Sequence, residues 1–292
     1  MGHDLYEAFP ESKAVFDKAD QVLGVSLSRL IFEGPQEELT RTQNAQPAIL
    51  TVTVVCWEGA RASGVLKPPD SDYAAGLSLG EYSALVAIEA LSLEDAVYLV
   101  RRRGEFMEEE AAKRPGKMLS VIGLDLAVVK ELCAKTNTEV ANINSPGQIV
   151  ISGGIDQIKQ AELLAKEKGA KKAILLEVSG AFHSSFMQGA SGKLAQELER
   201  IKFNKPRIPL VANVTARACV DQQEIKDNLI RQVYSSVLWE GSMKLMLSKG
   251  ITSFIEFGPG KVLKGLMRRI SEEAQVNNIE KKEDILSLGE KK

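Results

Sequence analysis

Ser78 stands at the centre of Gly76-Leu77-Ser78-Leu79-Gly80, a G-x-S-x-G run between the apolar stretch Tyr73 to Ala75 and the helix-favouring run Glu81 to Leu91. Strand, sharp turn and helix is the order a nucleophile elbow needs, because the flanking glycines permit the strained backbone that raises a serine hydroxyl above a sheet. Such a serine can attack an acyl carbon if a base takes its proton. The chain has two histidines, and His3 lies near the amino end. That leaves His183, in Val178-Ser179-Gly180-Ala181-Phe182-His183-Ser184, as the partner for Ser78. The plainer alternative is a histidine satisfied by local hydrogen bonds at the start of a helix. No Asp or Glu is placed to complete a triad.

Arg103 is the third residue of this kind. Ser92-Leu93-Glu94-Asp95 is close to a capping box, so Ser92 to Glu109 should be helical. At about 100° per residue, Ala96, Leu99, Val100, Phe106 and Met107 share one stripe, with Arg103 in its middle and Arg101 and Arg102 to either side. A guanidinium on an apolar face needs a partner. It is either an internal salt bridge or a bidentate clamp for a substrate carboxylate.

The elements that must position these residues form a mixed α/β pattern. After Arg114-Pro115-Gly116 the chain reads strand (Met118 to Gly123), helix (Leu126 to Lys135), strand (Glu139 to Asn144) and turn (Ser145-Pro146-Gly147). Strand (Gln148 to Ser152), helix (Ile155 to Gly169) and strand (Lys172 to Val178) follow. This is the β-α-β-β-α-β order of a ferredoxin-like unit. Residues 115–180 are therefore expected to be a small domain inserted into a large, hydrolase-like α/β domain with a mostly parallel sheet, made from residues 1–114 and 181–292.

Pro47 to Gly64 contains the β-branched run AILTVTVVCW, yet its length predicts a helix with Pro47 at its first position and Gly64 as its stop. Phe254 to Phe257 reads as a strand, Gly258-Pro259-Gly260 as a tight loop, and Lys261 to Ile270 as a helix. The charged tail from Ser271 to Lys292 is expected to be peripheral.

Composition narrows the function further. With 292 residues, 44% of them hydrophobic, the chain can bury a sizeable core. Lys+Arg 37 against Asp+Glu 39 leaves a net charge of -2, which supplies no bulk attraction to nucleic acid or an anionic membrane. Cys56, Cys133 and Cys219 are odd in number and far apart, which suggests neither a disulfide framework nor a zinc site. The polar start lacks the apolar core of a signal peptide, and no run approaches eighteen apolar residues, so a cytoplasmic setting is expected.

Several stretches together resemble one family. They are Gly76 to Leu85, Arg103-Gly104-Glu105-Phe106-Met107, Asn142 to Gln148, Gly180-Ala181-Phe182-His183, Arg231-Gln232-Val233-Tyr234 and Gly258 to Leu263. In order and spacing they resemble the malonyl-CoA:acyl carrier protein transacylases of fatty acid synthesis, over nearly the whole chain. The resemblance implies Ser78 as the nucleophile that takes the malonyl group, His183 as general base and Arg103 as the holder of the free malonyl carboxylate. Gln232 would support His183 through its backbone carbonyl, and the N–H of Leu79 would be one oxyanion donor. Phe182 resembles the malonyl-type enzymes rather than those choosing methylmalonyl. Malonyl-CoA and the phosphopantetheine thiol of acyl carrier protein are the implied partners, with no cofactor or metal.

Two departures stand out. Leu77 replaces the family's usual histidine, at a position that is neither base nor nucleophile. Family members also carry a strand and a Gly-Gln-Gly-x-Gln loop ahead of their Met-Gly-x-Asp-Leu-Tyr stretch, whereas this sequence opens at Met1-Gly2-His3-Asp4-Leu5-Tyr6. The resemblance thus implies that one sheet strand and the second oxyanion donor are missing, through a misassigned start or true shortening. Such a donor is worth about a hundredfold to a thousandfold in rate. The rival readings are a serine hydrolase or thioesterase, in which water attacks the same intermediate, and a weakly active homologue that only binds carrier protein. An acidic carrier would dock on a basic patch, for which Lys171, Lys172, Lys261, Lys264, Arg268 and Arg269 are candidates.

Overall fold

A computed structural model describes residues 1–66 and 72–290. The chain opens with α1 (His3–Ala8), α2 (Pro10–Leu23), α3 (Leu27–Glu33) and α4 (Gln36–Thr40), and continues into the long α5 (Thr42–Ala62). The helix expected from Pro47 is thus present but starts earlier, with Pro47 inside it. A proline there removes the N–H that would bond the carbonyl four residues back. That carbonyl, of Gln43, instead accepts from the Arg101 guanidinium at 3.3 Å. The β-branched run is helical because it is buried: Val52, Val54 and Val55 lie in the core, and packing overrides strand propensity.

Next come α6 (Gly80–Ala87) and α7 (Leu93–Lys113). The first is shorter than the expected Glu81 to Leu91: Glu89 takes a φ of 60°, and the N–H groups of Ala90 and Leu91 fold back onto the Leu85 carbonyl. The second starts as the capping signal predicts, with the Ser92 hydroxyl accepting from the Asp95 N–H. Its stripe of Ala96, Leu99, Val100, Phe106 and Met107 is buried together with Arg103.

The middle of the chain forms β1 (Gly116–Ile122), α8 (Leu126–Thr136), β2 (Glu139–Ser145), β3 (Gln148–Gly154), α9 (Ile155–Glu167) and β4 (Lys172–Leu175). The sheet order is β2-β3-β1-β4 with every pair antiparallel, the ferredoxin-like arrangement. The last strand stops at Leu175, short of the expected Val178. Leu119, Val121, Ile149 and Ile151 close a separate apolar cluster with Val129 and Leu132 of α8 and Ile158 of α9. Met118, Ala141 and Val150 form another with Phe182, the residue beside His183.

A 3₁₀ turn (Ser185–Met187) leads into α10 (Gln188–Arg200), β5 (Leu210–Val211), β6 (Ala218–Cys219), α11 (Gln222–Gln232) and α12 (Trp239–Ser248). The chain closes with β7 (Ser253–Phe257), α13 (Val262–Ile270), β8 (Gln275–Ile279) and α14 (Lys282–Gly289). Parallel pairing joins β7 to β8 and Ala74 to Leu210, while β5 and β6 are antiparallel. The expectation of a peripheral tail is overturned. Five residues of the tail pair with β7 as β8, and Ile279 and Ile285 are fully buried in the main core. A few apolar residues among many charges suffice to anchor a segment, and average composition hides them. Lys291 and Lys292 lie outside the described residues.

Candidate active site

Ser78 sits in the turn between the Ala74 bridge and α6, at a φ of 52°. A serine held there is strained and must be stabilised by its surroundings. Asn213 does so from both sides: its Oδ1 accepts from the Ser78 N–H at 2.6 Å and its Nδ2 donates to the Gly76 carbonyl at 2.7 Å. Gly76 is required sterically, since a Cβ there would lie 2.0 Å from the Gly80 carbonyl carbon. Gly80 faces open space, so only the first glycine of the pentapeptide is demanded by packing.

The Ser78 hydroxyl lies 2.8 Å from His183 Nε2, and His183 Nδ1 lies 2.8 Å from the Gln232 carbonyl. A carbonyl only accepts, so Nδ1 carries the proton and Nε2 is left to accept from the serine. His183 is buried. Burial, reinforced by the Arg103 charge, depresses its pKa to about 4. Near neutral pH the imidazole is therefore neutral, the form that can take a proton. The place an acidic residue fills in a triad is occupied by a backbone carbonyl.

Arg103 is 2% exposed, and among the described residues it forms no ion pair. Its neighbours Arg101 and Arg102 both pair with Glu105. Of the two alternatives for this residue, the internal salt bridge is not formed among the described residues. Nη1 donates to Gln46 Oε1 at 2.6 Å, and Nη2 donates to Ser78 Oγ and to Gln232 Oε1, each at 3.1 Å. Nε has no partner. Gln46 reaches it because α7 lies hard against α5 at Gly104, where a Cβ would come within 2.8 Å of the Gln43 Cα. A buried guanidinium bonded only to neutral groups, with one donor unused, is equipped for an incoming anion.

Leu79, which follows the serine, has an N–H that bonds to nothing among the described residues. Ser78, Leu79, Arg103 and His183 face a common cleft of about 450 Å³, walled by Gln46, Met107 and Phe182. The five residues singled out from sequence, Ser78, Leu79, Arg103, His183 and Gln232, thus come together. Leu77 packs against the apolar cluster that contains Val211, Val237 and Trp239. Sequence reasoning missed Gln46, Asn213 and Glu81. Each is an ordinary polar residue whose partner lies far away along the chain, and no spacing rule marks it.

Of the basic candidates for docking, Lys264, Arg268 and Arg269 lie on α13 with Lys261 just before it, and none forms an ion pair among the described residues. Lys171 and Lys172 sit apart at the start of β4. Among the described residues no group of three or more His, Cys, Asp or Glu converges as a metal site. No helix among them is long and apolar enough to cross a membrane.

A serine at a sharp turn with a neutral histidine on its hydroxyl, in an α/β fold, is the equipment of enzymes that work through an acyl-serine. The acyl transferase domain family matches residues 1–285, and the chain belongs to that family. It is 47% identical over 276 residues to the malonyl CoA-acyl carrier protein transacylase of Bacillus subtilis, covering 93% of this chain and 86% of that protein. Its fold is similar to that of the acyl-carrier-protein-S-malonyltransferase of Bartonella henselae, with a TM-score of 0.95, 38% identity and coverage of 99% and 95% of the two chains. A malonyl-transacylase solved in complex with its type II PKS acyl-carrier protein is as similar in fold, with a TM-score of 0.95 at 35% identity, covering 100% of this chain and 95% of that one.

Proposed function

We propose that this chain transfers a malonyl group from malonyl-CoA to the phosphopantetheine thiol of acyl carrier protein through a malonyl-Ser78 intermediate. The observation that carries the reading is Arg103: a buried guanidinium without an ion-pair partner among the described residues, 3.1 Å from the Ser78 hydroxyl. Malonyl carries a free carboxylate two carbons from its thioester carbon, and this arrangement accommodates that second charge beside the attacked carbonyl. An uncharged acyl group would leave the guanidinium without a counter-charge. The named relatives support the same substrate and acceptor.

In the first half-reaction Ser78 Oγ bonds to the thioester carbon while His183 Nε2 takes the hydroxyl proton. The carbon–sulfur bond breaks, and His183 returns the proton to the departing CoA sulfur. In the second, the phosphopantetheine thiol gives its proton to His183 and attacks the acyl carbon, and Ser78 leaves and is reprotonated. The free Leu79 N–H stabilises the oxyanion in both halves. Gln232 fixes the imidazole through its carbonyl. The setting is the cytoplasm and the pathway fatty acid synthesis. The chain works as two units, residues 1–114 with 181–292 and residues 115–180, a division supported by the separate apolar cluster beneath the four-stranded sheet.

The test is direct. Incubation with malonyl-CoA followed by mass spectrometry should add one malonyl group to Ser78, and the Ser78→Ala variant should remain unmodified while folding normally. A full adduct on that variant would remove Ser78 from the mechanism. Rapid release of free malonate without acceptor would favour a hydrolase.

A further inference from the structure

One ionisable group of the site has no part in the chemistry above. Glu81, in the first turn of α6, is 1% exposed. No cation lies within ion-pair distance of it among the described residues. Its Oε2 instead accepts from Gln232 Nε2 at 2.5 Å. Burial pushes its carboxyl up to about 7, against smaller opposing effects of the Gln232 amide, the Asn213 N–H and the Arg103 charge. A buried carboxyl held by neutral donors is costly to fold around, and its place in the bond network shows what it can do.

The Gln232 side chain has two N–H donors and one acceptor oxygen, and all are used. Nε2 donates to the Ser78 carbonyl at 3.0 Å and to Glu81, while Oε1 accepts from Arg103 Nη2 at 3.1 Å. Arg103 can only donate and the Ser78 carbonyl can only accept. A rotated amide would set N–H against guanidinium and oxygen against oxygen. Glu81 adds the third constraint, on the hydrogen that would otherwise be buried without a partner. Gln46 holds Nη1 on the other side, so the Arg103 guanidinium is set between two amide oxygens, only one of which is itself locked by a carboxylate.

We infer that Glu81 is a positioning residue for acyl-group selection: it locks the Gln232 side-chain amide so that Oε1 holds the Arg103 guanidinium beside Ser78. The inference rests on the acyl-transfer reading for its substrate, and on the hydrogen-bond network alone for its geometry. Because the imidazole is held by the Gln232 backbone carbonyl rather than its side chain, loss of Glu81 should disturb Arg103 more than His183. The affected quantity is the preference for malonyl over acetyl, while the ability to acylate Ser78 at all is retained.

The test compares Glu81→Leu and Glu81→Gln with the parent chain. Rates of acyl-serine formation from malonyl-CoA and from acetyl-CoA are measured in the same preparation. The ratio of the two does not depend on the fraction of protein that folds, so a merely structural role for Glu81 would leave it unchanged. The leucine variant should lower the malonyl-to-acetyl ratio about tenfold, mainly through the malonyl rate. The glutamine variant, which restores an acceptor oxygen for Gln232 Nε2, should return it to within about threefold of the parent. An unchanged ratio in the leucine variant, or an equal fall in both, overturns the inference. A crystal structure of the leucine variant serves even if the parent proves unable to transfer malonyl. Arg103 Nη2 displaced from Gln232 Oε1 supports the lock, and an undisturbed Gln232–Arg103 pair refutes it.

Discussion

At the scale of single residues the site sets a neutral imidazole next to a buried guanidinium. His183 has its pKa depressed to about 4 by burial first and the Arg103 charge second. The base form is the neutral one, so it persists as pH falls through 6.5 and is lost only near the depressed value. The acid limb of kcat/KM for malonyl-serine formation should therefore lie well below pH 6, where an unperturbed histidine would put it near 6.5. A pH profile with its acid limb at about 6.5 would show that the buried environment does not set the base. Arg103→Ala removes one of the two causes, so its limb should move up. If Arg103 holds the malonyl carboxylate as proposed, the same substitution removes a charge-assisted hydrogen-bonded pair worth roughly 1.5 to 3 kcal/mol. Discrimination of malonyl over acetyl should fall by about ten- to a hundredfold. Side-by-side rates with the two acyl-CoA substrates decide it, and an unchanged ratio would leave Arg103 a packing residue.

At the scale of elements, the close contact of α5 and α7 positions Arg103 as the turn at Ser78 positions its hydroxyl. Gly104 admits the backbone of α5, and a Cβ there would collide with backbone atoms of Thr42 and Gln43. Gly104→Ala must push the helices apart and carry Gln46 away from Arg103. Overpacking of this kind costs about 1 to 3 kcal/mol, so urea unfolding should shift to lower midpoint with little change in slope. A midpoint equal to that of the parent would mean that α5 can yield without cost. The carboxyl-terminal β8 and α14 are equally integral. Ile279→Ala, which empties a fully buried position beside β7, should destabilise by about 2 to 5 kcal/mol. Unchanged denaturant stability would restore the peripheral reading of the tail.

At the scale of the whole molecule the four-stranded sheet is tied to the rest by hydrogen bonds from β2 and β3. The Ser152 hydroxyl donates to the Phe182 carbonyl at 2.6 Å, and Val237 exchanges backbone bonds with Ala141 and Ile143 at 2.9 Å each. Phe182, beside His183, is thereby held by β3. On the outside, the cations of α13, unpaired among the described residues, lend a chain of net charge -2 a local basic face. If an acidic carrier docks there, Arg268→Glu with Arg269→Glu should raise KM for the carrier about tenfold and flatten its salt dependence, while malonyl-serine formation from malonyl-CoA stays within about twofold. An unchanged KM would place docking elsewhere.

How much of this was legible beforehand follows from the range of the interactions involved. The sequence by itself determined what is local. Period-2 and period-3.6 patterns gave the ferredoxin-like order of residues 116–175, the Ser92 cap, the apolar stripe holding Arg103, and Ser78 at a turn before a helix. Such features are governed by neighbours within a few positions, so spacing carries them. The same reasoning misplaced the start of α5 and dismissed β8 and α14, because there a distant Arg101 or a distant strand supplies what the local sequence lacks. Only the tertiary structure decided that Arg103 has no carboxylate partner among the described residues, that a backbone carbonyl faces His183 Nδ1, and that Gln46, Glu81 and Asn213 bond to the groups of the site. The bonds behind those facts join groups between 49 and 151 positions apart across buried space, where geometry, and no local pattern, selects the partner.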